Sequence, residues 1–242
     1  FQDKLSGPMT AHPKIDPESG EMLFFAYNTD PENRVSSRMA FHKADKHGNL
    51  VQSEFFDAPY SAMVHDFIVT KEHVIFPIMP LTSSMERAMG GGSLYAWDPT
   101  KNSYIGIMPR DGCSSDLRWF EGDPAYVFHP MNAYNDGDKI ICDVCEYPEA
   151  PLFPHADGSK PDPTKSTAKL TRWTFDLNAN TNTYHREQLD DTISEFPRLD
   201  ERYTGLNYRY GYFACSVEGG AIDNRYNGIG RIDHKSNQVA IY

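Results

Sequence analysis

What this chain lacks narrows its function first. No apolar run approaches the roughly 18 residues that a membrane-crossing helix needs. Basic residues are few, 23 Lys and Arg against 34 Asp and Glu, and the formal charge is −11. They form no stripe, which argues against a phosphate-backbone partner, DNA or RNA. Four cysteines are too few for a disulfide scaffold. Cys142 and Cys145 form a C-x-x-C, but inside the apolar run KIICDVCEY rather than at a helix start. They read as ordinary strand residues, as do Cys113 and Cys215. This usage favours a reduced, intracellular setting, and a cytoplasmic location is the expectation. The first residues, FQDKLSGPM, hold neither an initiator Met nor a basic-then-apolar leader, and the last, QVAIY, stop within a strand-like run. The sequence therefore reads as an interior piece of a longer protein.

Helical periodicity is scarce as well. What is present is strand signal: short runs rich in Phe, Tyr, Ile and Val alternate with Asp, Asn, Gly and Pro clusters, the all-β pattern. Strand-like cores stand at MLFFAY (22–27), HVIFPI (73–78), KIICDV (139–144) and YGYFACSV (210–217). Each is followed by a second short strand and an Asp-containing polar turn, so one unit recurs four times at roughly 50 to 70 residues. Repeats of four antiparallel strands around an axis make a β-propeller. The long units imply insertions, for which MERAMGGGS (85–93) and PEAPLFPHADGSKPDPTKS (148–166) are the candidates. An open β-sandwich array is the structural alternative.

Three histidines stand at the same place in successive units. His12 precedes MLFFAYN, His65 precedes HVIFPIM and His129 precedes KIICDV, each across a polar turn. The innermost strand of a propeller blade faces the central channel, so equivalent positions approach one another at the axis. That geometry collects imidazoles 53 and 64 residues apart, which no local motif does. An all-imidazole site suits Zn, Cu, Fe or Ni, and the residues alone do not choose among them. The remaining histidines read differently. His42, His47, His155, His185 and His234 lie in polar turn contexts and read as solvated loop residues, and His73 reads as structural.

At these residues the sequence resembles the carotenoid cleavage oxygenase family, and within it the bacterial and fungal lignostilbene and stilbenoid dioxygenase branch. The carriers are TAHPKIDP (10–17), HDF (65–67), FHPMNAY (128–134) and EFPR (195–198). The resemblance covers nearly the whole chain. It implies an all-β, seven-bladed β-propeller of which residues 1–242 supply about four blades, the central part of a single catalytic domain. It implies Fe(II) held by four histidines, with His12, His65 and His129 as three ligands and the fourth outside the chain. Glu195 would accept a hydrogen bond from the third histidine, and Phe153 would form part of a substrate wall. The implied activity is cleavage of the conjugated C=C bond of a hydroxystilbene by O2, giving two aromatic aldehydes. An apocarotenoid substrate, a retinyl-ester isomerohydrolase and a non-catalytic propeller used as a binding module are the alternatives. A homodimer is left open.

Overall fold

The computed structural model describes residues 4–5, 7–33, 35–217 and 226–242. The four repeats fold as four antiparallel units. The first is β1 (Lys14–Ile15), β2 (Met22–Tyr27), β3 (Arg38–Ala44) and β4 (Leu50–Asp57), hydrogen-bonded in chain order. The second begins with β5 (Ile68–Val69) and β6 (His73–Ile78). It then sends out a hairpin of β7 (Leu81–Ser83) and β8 (Tyr95–Trp97), with the five-residue helix α1 (Met85–Met89) at its tip. The sheet resumes with β9 (Ser103–Pro109) on β6 and β10 (Arg118–Gly122) at its edge.

The third unit is β11 (Tyr126–Asp136), β12 (Lys139–Tyr147), β13 (Lys169–Asp176) and the start of β14 (His185–Leu199). That last strand has 15 residues and serves two units. Its first part pairs with β13, from Thr174↔His185 to Thr171↔Gln188. Its second part pairs with β15 (Tyr210–Ser216), from Ile193↔Ser216 to Leu199↔Gly211. With β16 (Gly228–Asp233) and β17 (Gln238–Ile241) this second part makes the fourth unit.

Side-chain alternation explains how the units stack. Leu23 and Phe25 of β2 meet Val74, Phe76 and Ile78 of β6 in one apolar cluster between units one and two. The intervening Ile75 points the other way, into a second cluster with Ile140, Val144, Trp173 and Phe175 of unit three. Because β6 is buried on both faces, its sequence reads as an unbroken apolar run. The solvent-side strand β4 instead alternates strictly, LVQSEFFD. A third cluster, with Met131, Leu170, Phe213 and Ile232, joins units three and four.

The inferred insertions are ordered. Ser84 caps α1 by accepting the Arg87 N–H, and the Arg87 guanidinium donates to the carbonyls of Thr82, Ser93 and Leu94. The 148–166 segment is tied to β8, where the Trp97 N–H donates to Pro154 and the Trp97 carbonyl accepts from Ala156. Among the described residues, no helix is long and apolar enough to cross a membrane.

Three histidines read as solvated are not. His42 lies on β3, 1% exposed, stacked on Phe24 with its Nδ1 2.9 Å from Ser53 Oγ; Phe24, His42 and Ser53 are successive partners across the sheet. His234 packs on the Tyr208 ring and accepts from Arg172 through Nδ1. His155 is half-buried with Nε2 3.4 Å from Glu149. Polar neighbours in sequence concealed burial that comes from strands distant in the chain. His47 and His185 are exposed as expected, although His185 begins a strand.

Candidate metal centre

The inner end of each of the first three units brings one imidazole to a common point. His12 lies just before β1, His65 three residues before β5, and His129 within β11. His65 Nε2 stands 3.2 Å from His12 Nε2 and 3.2 Å from His129 Nε2. One nitrogen from each of the three fits within 4.8 Å. The rings splay rather than stack, with interplanar angles of 49°, 83° and 87°.

Proton accounting shows what this arrangement asks for. His129 Nδ1 stands 2.8 Å from Glu195 Oε2. An ionised carboxylate only accepts, so His129 carries its proton on Nδ1 and turns a bare lone pair on Nε2 to the cluster. A proton on His65 Nε2 serves one of its two contacts and not both, whereas a cation among the three serves all. A metal about 2.1 Å from each nitrogen sets neighbouring nitrogens about 3.0 Å apart at right angles and about 3.4 Å apart in a tetrahedron. The two 3.2 Å separations fall between these values.

The electrostatics favour the neutral form of His65 and His12, the form a metal ligand takes. Burial, then the proximity of His129 and His12, lowers His65 to about 4. Burial also lowers His12, against the opposing pull of Asp66.

β11 and β14 reach the point by breaking their ladders. Register shifts flank Pro130, beside His129, and a further shift lies between Glu195 and Arg198. Such bulges re-aim side chains near functional sites. Phe196 takes a left-handed conformation at φ 50°, a strained position for a side chain of this size. Its N–H donates back to Glu195 Oε2, and its ring lies 5.3 Å from that of His129. Glu195 itself is 2% exposed, not the surface carboxylate that its sequence neighbours suggest.

One flank of the cluster is charged. A cavity of about 870 Å³ is lined by His12 and His129 together with Lys14, Asp66 and Arg198. Lys14 Nζ stands 2.9 Å from Asp66 Oδ1, and Asp66 is 5% exposed. Both residues lie inside the motifs quoted above, but nothing in the sequence pairs them. The other flank is aromatic, with Phe128 edge-on to His65 at 5.2 Å and Tyr126 and Tyr147 behind it. Phe153 is half-buried against the cluster that contains Trp97 and Tyr147, and it does not line the 870 Å³ cavity.

Fold and cluster together define an all-β protein of propeller type with a polyimidazole centre at the inner ends of its blades. Over residues 1–242 the chain matches the model of the retinal pigment epithelial membrane protein family, the carotenoid oxygenase family of the motifs, and it belongs to that family. It is 40% identical over 204 residues to isoeugenol monooxygenase of Pseudomonas putida, covering 84% of this chain and 42% of the relative. It is 33% identical over 250 residues to lignostilbene-alpha,beta-dioxygenase isozyme III of Sphingomonas paucimobilis, covering 97% and 50%. The structure of Pseudomonas brassicacearum lignostilbene dioxygenase superimposes with a TM-score of 0.93 at 31% identity, over 100% of this chain and 52% of that one. The chain thus spans about half the length of the relatives it matches.

Proposed function

We propose that the protein of which this chain is a part is a non-haem Fe(II) dioxygenase that cleaves a C=C bond conjugated to a phenol ring. The convergence of three Nε2 atoms on one point carries this reading, in a chain 40% identical to an isoeugenol monooxygenase and 33% identical to a lignostilbene dioxygenase. His12, His65 and His129 are three of four iron ligands in this reading, and the fourth lies outside the chain. Ferrous iron bound there supplies the activation of O2. The reaction balances without an external reductant: R–CH=CH–R′ and O2 give R–CHO and R′–CHO.

The residues of this chain contribute position and protonation state. Glu195 holds the His129 proton on Nδ1 and fixes the ring, as carboxylates behind metal-bound imidazoles do. Burial keeps His65 neutral and free to ligate. Phe128 and Phe196 present ring faces and edges beside His65 and His129, surfaces that suit a flat aromatic substrate. Phe153 forms a more distant part of the wall.

A hydroxystilbene is the substrate that the motifs favour, giving two aromatic aldehydes. The identity to isoeugenol monooxygenase favours a second reading, a single-ring propenyl phenol. Both share the phenol-conjugated alkene, and an apocarotenoid lacks it. The test uses full-length protein purified anaerobically and offered 4-hydroxystilbene, isoeugenol or an apocarotenal. One iron per chain and aldehyde from a phenolic alkene are expected. A protein without stoichiometric iron, or one that turns over only the apocarotenal, would sink the reading. His65→Ala should lose both iron and turnover while its circular dichroism stays unchanged.

A further inference from the structure

His12 and His65 belong to different units, and their Nε2 atoms stand 3.2 Å apart. Glu195 orients His129; among the described residues no carboxylate bonds the ring of His12 or of His65. One proton on His65 Nε2 serves His12 or His129 and not both, so hydrogen bonds between imidazoles do not set all three rings.

The residues beside these two ligands meet directly. Lys14, two positions after His12, opens β1 and pairs with Leu23 of β2. Asp66 follows His65 and is buried. Lys14 Nζ stands 2.9 Å from Asp66 Oδ1 and 3.0 Å from Oδ2. With the approach of the two Nε2 atoms, this ion pair closes a ring of contacts. His12, Pro13 and Lys14 form one side of it, and His65 and Asp66 the other. Two contacts so close together fix both the separation and the relative angle of the segments, where one contact leaves a pivot.

The ring is tied to the core. Asp66 Oδ1 also accepts the Phe67 N–H at 2.7 Å. Phe67 is fully buried, with its ring 5.1 Å from Phe25 of β2 and 6.3 Å from Phe76 of β6. Lys14 Nζ lies 5.8 Å from the centroid of the Phe67 ring. The ion pair therefore rests on the apolar cluster that joins units one and two.

We propose that Lys14 and Asp66 are positioning residues of the metal centre, an ion pair that sets His12 against His65 and holds two ligands from different units at binding distance. This role rests on the iron-site reading above. Ligands placed in advance lose less freedom when the metal binds, so loss of the pair acts on metal affinity and ligand geometry as well as on stability. The Arg110–Asp16 ion pair supplies the control. It joins the same two units, but neither residue lines the cavity beside the histidines.

The experiment measures Fe(II) affinity by chelator competition, and the visible bands of the Co(II)-loaded form, in the full-length protein. Asp66→Asn keeps an acceptor for the Phe67 N–H and removes the charge. It should weaken Fe(II) binding about 3- to 10-fold, less than loss of a carboxylate that bonds a ligand directly, and should shift the Co(II) bands. Lys14→Gln should do the same, whereas Lys14→Arg keeps a cation for Asp66 and should stay near the unsubstituted protein on both readouts. Adding Lys14→Gln to Asp66→Asn should cost little more, because the two act as one pair. Arg110→Met should lower the denaturation midpoint and move neither metal readout. Unchanged affinity and bands in Asp66→Asn, or equal changes in Arg110→Met, would overturn the positioning role. If Asp66→Asn does not fold, Lys14→Gln against Lys14→Arg decides by the same readouts. Unsubstituted protein that binds neither Fe(II) nor Co(II) would instead sink the iron-site reading, and the positioning role with it.

Discussion

Among the described residues, a carboxylate hydrogen-bonds the ring of His129 and not those of its two partner histidines. Bulges on either side of Pro130 turn His129 inward, and a buried carboxylate fixes which nitrogen carries its proton. The Glu195 carboxylate needs its own irregularity, since an unbroken β14 ladder would not place Phe196 at φ 50°. Such strain is tolerated where the surroundings over-determine it. Glu195→Gln keeps the size of the side chain but removes the charge that holds the imidazole proton. We expect about 10- to 100-fold weaker iron binding, measured by competition with a chelator, at little cost in thermal stability. The residue scale also shows where sequence context misleads. KADKHGN looks solvated around His47 and is, yet His42, five positions earlier, is sealed between Phe24 and Ser53.

At the scale of elements, neighbouring units are joined by apolar clusters and by ion pairs, among them a buried clamp on Asp16. Asp16, in the turn after β1, accepts from Arg110 Nη1 at 2.5 Å, and the guanidinium also reaches the Lys71 carbonyl in the β5–β6 turn. Arg110 and Asp16 are 9% and 12% exposed. Burial works against ionisation of Asp16, but the Ser19 N–H and the Arg110 guanidinium outweigh it and hold the carboxyl down at about 2. A depressed carboxyl stabilises the fold fully above its unfolded value of about 4, and that contribution is lost as pH falls toward 2. Arg110→Met should therefore cost about 2–3 kcal/mol at neutral pH. The gap from the unsubstituted protein should close between about pH 4 and pH 2, a trend that urea melts across this range would reveal.

Within unit four, β15 and β16 meet through a steric contact. A Cβ on Gly230 would stand 2.1 Å from the Phe213 ring, and Phe213 is 2% exposed with no room to swing. Gly230→Ala should lower stability by about 1–3 kcal/mol. An unchanged denaturation midpoint would show that the fourth unit yields.

At the scale of the whole molecule, each unit depends on its neighbours to cover its faces. The fourth exposes Tyr212, Val217, Ile229, Ile241 and Tyr242. Exposed apolar side chains on a sheet favour self-association. Residues 1–242 expressed alone should run as heterogeneous aggregates in sedimentation, and full-length protein as a single defined species. A monodisperse monomer of the piece would show that the fourth unit needs no cover.

The sequence by itself determined the strand class, the fourfold recurrence and three equivalent histidines, because alternation, turn residues and repeat spacing are local properties. The cores at 22–27 and 73–78 coincide with β2 and β6, and those at 139–144 and 210–217 fall on β12 and β15. It named Glu195 only through a motif. Tertiary structure decided what depends on residues far apart meeting: the 3.2 Å approaches of the imidazoles, the Lys14–Asp66 pair, the burial of His42 and the hydrogen bond of Glu195 to His129. Those contacts form between different strands, and periodicity within one strand says which face a residue takes but not what it meets there.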